Sequence, residues 1–220
     1  MERSSMGNTA RDVVIGPKAL EGRLELPDGA GGLVVFAHGS GSSRFSPRNN
    51  FVAGELRARG LGTLLFDLLT ETEAADRHNV FDIPRLAARL VEAIAWTHGE
   101  ADTAALPLGL FGASTGAAAA LVAAAGMPEA VRAVVSRGGR PDLAGNALAQ
   151  VRAATLLIVG GADHGVIALN EAAFAELACE KRLEIVPGAT HLFEEPGTLD
   201  AVVALAGDWF ETHLTGSGSA

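Results

Sequence analysis

The chain has 220 residues, 48% hydrophobic and 20% charged, a globular balance that excludes disordered and fibrous architectures and suits one large domain. Lys and Arg number 17 against 26 Asp and Glu, and the formal charge of −9 opposes attraction to nucleic-acid phosphates and anionic lipid, so neither partner is expected. One cysteine, Cys179, forms no intramolecular disulfide, and the polar start over 1–11 lacks the apolar core of a secretion signal. The longest run of small apolar residues, 117–125, is about half the length that spans a bilayer. A cytoplasmic protein is therefore expected.

In chain order, 13–15 and 20–26 read as two short strands around Gly16-Pro17, closed by Pro27-Asp28-Gly29, and are expected to form an antiparallel edge. The short continuous apolar runs 33–37 and 62–66 fit strands buried on both faces. Between them Ser46 and Pro47 supply a helix cap and first turn, predicting a helix over 46–59. An acidic loop, 68–81, follows. The remainder alternates: helix 83–96, strand 108–111, helix 115–125, strand 133–136, a short helix over 143–151, strand 155–159, helix 166–177, strand 182–186 and helix 199–213. Such alternation predicts an α/β fold of about eight mostly parallel strands with helices on both faces. No linker divides the chain, and the interval between the strands at 133–136 and 155–159 is too short for a large lid. A single domain over 10–214 and a flexible tail over 215–220 are expected.

Ligands of such sheets collect at the carboxyl ends of the strands. Four of those ends carry chemistry. After 33–37 comes His38-Gly39-Ser40-Gly41; after 108–111, Gly112-Ala113-Ser114-Thr115-Gly116; after 155–159, Gly160-Gly161-Ala162-Asp163; after 182–186, Gly188-Ala189-Thr190-His191. A G-x-S-x-G between a strand and a helix is the sequence form of a nucleophile elbow, and Ser, Asp, His is the chain order that an elbow-type hydrolase requires. Ser114 is read as nucleophile, His191 as the base that takes its proton, and Asp163 as the carboxylate that orients the imidazole. Asp142, Glu194 and Glu195 are rival acids. The backbone N–H groups of Thr115 and Ser40 are the expected oxyanion donors.

Arg137 and Arg44 are read as substrate-binding, pairing with a substrate carboxylate or phosphate. With Arg140 and Arg48 nearby, a second reading stands beside it, in which these arginines balance Asp142, Glu194 or Glu195. His38 is expected to fix the oxyanion turn, His78 to be solvated, His164 to point away from the acid, and His98 and His213 to lie on the surface. No His/Cys/Asp/Glu spacing resembles a metal site, so neither metal nor cofactor is implied.

On these four motifs, from about Val13 to Leu214, the chain resembles the α/β-hydrolases, and within them the dienelactone-hydrolase-like branch with small lidless domains. Dienelactone hydrolases proper carry a cysteine at the elbow where this chain has Ser114, so the resemblance implies serine-esterase chemistry. Relatives of this type are also joined to phosphoribosyltransferase domains, which no part of this chain resembles; a free-standing hydrolase, monomeric or a small homo-oligomer, is expected. The function expected is cleavage of small carboxylic esters, lactones or thioesters through an acyl-enzyme. The alternatives are a silent binding module with the same fold, or acyl transfer by the same three residues.

Overall fold

The computed structural model describes residues 9–216. Its sheet contains β1 (Thr9–Ile15), β2 (Leu20–Leu26), β3 (Leu33–Ala37), β4 (Gly62–Phe66), β5 (Leu108–Ala113), β6 (Val131–Arg137), β7 (Ala154–Gly160) and β8 (Lys181–Val186). These eight strands lie in the order β1-β2-β4-β3-β5-β6-β7-β8. The β1–β2 and β2–β4 pairs are antiparallel and the other five are parallel. Alternation along each strand divides the core. Leu33, Val35 and Ala37 face α3 (Ile83–Gly99) and α4 (Thr115–Gly126), while Val34 and Phe36 face α1 (Pro47–Ala58) and α6 (Thr198–Phe210).

Local chemistry explains the helix starts. Ser46 Oγ accepts from Asn49 N at 3.3 Å ahead of Pro47, and Asp82 Oδ1 accepts from Arg85 N at 3.1 Å ahead of Pro84. Gly112 and Gly116 leave no space for a Cβ against Ala117 and against the carbonyls of Ala37 and His38, which lets α4 lie tightly on β3 and β5. The register pairs Ala37 with Gly112 and Ala113 with Arg137. The carboxyl ends of β3, β5 and β6 are thereby level.

Four expectations are corrected. The acidic loop contains the short helix α2 (Glu71–Ala74), closed by a reciprocal Thr70–Glu73 capping box, and a 3₁₀ turn over Asn79–Phe81. The helix expected over 143–151 is a pair of 3₁₀ turns over Pro141–Gln150, broken at Gly145, where φ is 51°. The last helix passes into a wider turn over Glu211–Thr215, with Thr215 Oγ1 donating to Glu211 O at 2.8 Å, so the helical chain enters the expected tail by one residue. Residues 217–220 of that tail, and 1–8 of the polar start, lie outside the described residues. The same wide turn folds His213 inward onto the Trp209 ring, with centroids 4.4 Å apart, so His213 is not a surface residue.

Candidate active site

Ser114 joins β5 to α4 with φ 52° and ψ −122°, a backbone conformation that a residue with a side chain adopts only when its surroundings impose it. Those surroundings are specific. Ser114 N donates to Arg137 O at 3.4 Å, and Ser114 O accepts from Ala117 N and Arg140 N, both at 3.1 Å. Gly39 passes so near that a Cβ on it would sit 3.0 Å from Ser114 Cβ. Within a run of buried residues, Ser114 alone is partly exposed.

Asp163 follows β7 and occupies the cap position of α5 (His164–Glu176), yet its carboxylate makes no capping bond. It turns toward the next loop, where His191 Nδ1 donates to Asp163 Oδ2 at 2.7 Å. That bond leaves Nε2 as the free basic nitrogen of a neutral ring. The acid and base loops are also joined through their backbones, Ala162 N donating to Ala189 O at 2.9 Å. Glu195 steadies the base loop by accepting from Thr190 N at 3.0 Å and Thr190 Oγ1 at 2.6 Å, and the Thr190 hydroxyl holds its carboxyl below the ordinary range. Each rival acid thus has another partner: Glu195 has Thr190, Glu194 has Arg48 at 3.0 Å, and Asp142 has Arg140 at 2.7 Å. The turn at Gly138–Arg140 touches both halves of the site, since a Cβ on Gly138 would lie 2.8 Å from His191 O while Arg140 N holds Ser114 O. The described residues show no hydrogen bond between Ser114 Oγ and His191, a contact that commonly tightens only with substrate bound.

The His38–Gly41 turn, the expected oxyanion turn, is pinned by His38. Its Nε2 accepts from Leu68 N at 3.0 Å, so Nδ1 carries the proton and donates to Gly39 O at 3.0 Å. Burial lowers the affinity of this ring for a second proton. Ser40 N donates to Thr115 Oγ1 at 3.1 Å, placing this amide beside the first turn of α4, whose own leading N–H groups have no intrahelical acceptor. The sequence suggests only a backbone role for Thr115; the hydroxyl that docks the turn is not anticipated, although a β-branched donor-acceptor directly after Ser114 is visible there. His78 is exposed beside Asp76, and His164 and His98 are exposed.

The two arginines expected at the substrate part company. Arg44 is enclosed by carboxylates, its guanidinium on Asp67 and Glu21 and its N–H on Asp67 Oδ1 at 2.7 Å. Arg137 is 6% exposed, donates to Asn49 Oδ1 at 3.1 Å, lies 6.0 Å from the Phe193 ring, and meets no carboxylate among the described residues. Burial, with repulsion from Arg48, brings its pKa down to about 10. A cavity of about 950 Å³ opens on the other side of the oxyanion turn, lined by that turn, by Arg44, Asp67 and Glu71, and by the apolar Leu69, Val80 and Leu86. Among the described residues no group of His, Cys, Asp and Glu is placed to hold a metal, and no helix is long and apolar enough to cross a membrane.

A mostly parallel eight-stranded sheet with an elbow after β5 and an Asp–His pair after β7 and β8 defines an α/β-hydrolase fold. A dienelactone hydrolase from Anabaena variabilis is similar at 57% identity and TM-score 0.91, over 95% of this chain and 99% of that one. The chain belongs to this dienelactone-hydrolase-like branch of the α/β-hydrolases. A lidless α/β serine hydrolase from Xanthomonas campestris shares the fold at 21% identity and TM-score 0.76, over 96% of each chain. No protein-family model matches. Two Mycobacterium tuberculosis proteins, from strains CDC 1551 and H37Rv, each carrying the name "Putative phosphoribosyl transferase", are 59% identical over 206 residues. That match takes in 94% of this chain and 46% of theirs, so the chain spans about half the length of the curated relatives it matches.

Proposed function

We propose that the chain is a serine hydrolase that cleaves small carboxylic esters, lactones or thioesters through an acyl-enzyme. The observation that carries this reading is the 2.7 Å Asp163–His191 bond at strand ends next to a serine held at positive φ. In the proposed cycle His191 Nε2 takes the Ser114 proton as Oγ attacks the acyl carbon. Asp163 fixes the tautomer and steadies the imidazolium. The tetrahedral oxyanion receives the N–H groups of Thr115 and Ser40, the latter exchanging Thr115 Oγ1 for the oxyanion. His191 returns the proton to the leaving group, and water, activated by the same nitrogen, releases the acid.

Of the arginines, Arg137 is the one proposed to meet an anionic group, because a buried guanidinium without a carboxylate is the state that an anion relieves. Its place at the end of β6, on the base side of Ser114, supports reading that anion as part of the leaving group. Arg44 already has two carboxylates and is left out of substrate binding.

Labelling by a fluorophosphonate, followed by peptide mass mapping, tests the reading: an adduct on Ser114, lost together with p-nitrophenyl acetate turnover in Ser114→Ala at unchanged Tm, is expected. Undiminished turnover in Ser114→Ala would remove the assignment. No adduct on a folded chain favours a silent binding module.

A further inference from the structure

The structure assigns the acyl half of the substrate to the cavity beside the oxyanion turn, and we infer that this cavity takes an uncharged acyl group and rejects a carboxylated one. The inference rests on the serine-hydrolase reading and goes beyond it by naming the substrate class.

Placement follows from the order of the strands. His191 must reach the leaving-group oxygen, so the leaving group lies on the β7–β8 side of Ser114. The acyl remainder is directed to the opposite side, toward β3 and β4. There the cavity of about 950 Å³ opens, with Gly39 and Ser40 as its near wall, and Gly39 is the residue that passes closest to Ser114.

Its lining sets the chemistry. Leu69, Val80 and Leu86 form an apolar surface for a chain of methylenes. The charged groups are three carboxylates, Glu21, Asp67 and Glu71, against one guanidinium, Arg44. Arg44 is engaged by Asp67 and Glu21, whereas Glu71, exposed at the cavity rim, has no ion-pair partner among the described residues. A carboxylate entering here meets a net negative wall and finds no unpaired cation among the described residues that line it. An uncharged acyl group meets neither difficulty.

The test uses two acyl donors with the same leaving group and chain, mono-p-nitrophenyl adipate and its methyl ester. The methyl ester is expected to show kcat/KM about tenfold higher at low salt, with the ratio falling toward about two in 0.5 M NaCl as the wall is screened. Glu71→Gln should also narrow the ratio. Equal or faster turnover of the free acid, insensitive to salt and to Glu71→Gln, overturns the inference while leaving the hydrolase reading intact. If Ser114 takes no fluorophosphonate and neither ester is cleaved, the hydrolase reading falls. The cavity is then read by NMR titration of the chain with dimethyl adipate and monomethyl adipate. Shifts at Leu69 and Val80 with the diester alone support an uncharged occupant, and tighter binding of the monoacid overturns it.

Discussion

On the β7–β8 flank of Ser114 the acid and base loops are fastened to each other by backbone, Ala162 N to Ala189 O, and by the His191–Asp163 bond at 2.7 Å. On the β3–β4 flank the oxyanion turn is held by side chains: His38 on Leu68 N, Arg44 on Asp67, and Thr115 Oγ1 on Ser40 N. The first flank is joined loop to loop by the backbone, with Glu195 bracing Thr190 within the base loop; the second has its turn held by side-chain contacts, among them the charged Arg44–Asp67 pair. Loss of a side chain on the first flank should therefore remove chemistry with little effect on the fold. Loss on the second should act through stability and pH.

The largest effect is expected from Asp163→Asn, which leaves the loop in place but favours the wrong imidazole tautomer and should lower kcat about 10⁴-fold. Asp142→Asn, which loses only the 2.7 Å contact with Arg140, should keep kcat within about threefold, as expected of a partly exposed ion pair. Steady-state kinetics on one ester decides between them, and the reverse ranking would move the acid to Asp142.

Much of this flank was legible in the sequence because strand ends are marked by apolar runs that stop at glycine. Gly112, Gly160 and Gly188 announced the turns that present Ser114, Asp163 and His191. All eight strands were legible as apolar or alternating runs closed by Gly, Pro or a polar residue, with the largest shift of an end, four residues, at β1. The other flank was less legible, since the partners of Arg44 come from β2 and from the residue after β4, a pairing that exists only once β2 has folded antiparallel onto β4. The burial of Arg137 was hidden in a similar way: it continues the Ala133, Val135 face of β6, but the α1 and Phe193 groups that cover it are distant in sequence. His213 was misjudged because nothing in 211–215 signals that the last turn widens.

The two arginines sharpen the comparison by the size of their effect. Arg44→Met leaves Asp67, whose side chain is 19% exposed, without its cation, and should destabilise by about 1–2 kcal/mol. Arg137→Met removes a buried charge that meets no carboxylate among the described residues but leaves buried Asn49 Oδ1 without its donor, and the two effects should offset to within about 1 kcal/mol. Urea unfolding of both variants checks this. A large loss of stability in Arg137→Met would show that the guanidinium is a structural clamp between α1 and the base loop, and would withdraw it from the leaving-group site.

The smallest effect concerns pH, and it belongs to the flank held by side chains. Burial keeps the His38 pKa below its ordinary 6.5, so the unfolded chain takes up this proton at higher pH than the folded one. The stability that His38 contributes is therefore complete above pH 6.5 and is lost as pH falls from there toward the lowered folded value. Protonation of the folded ring, which comes only at the lowered value, also places a hydrogen on Nε2, the atom that accepts from Leu68 N, so the bond tying the oxyanion turn to the end of β4 breaks at the lower end of that range. Burial lowers the pKa of His213 as well, so this ring adds to the wild-type slope. Tm measured between pH 7 and pH 5 should fall in the wild type and fall less in His38→Asn, whose amide oxygen accepts from Leu68 N without titrating. Parallel slopes in the two proteins would mean that the turn is not the acid-sensitive part of the site.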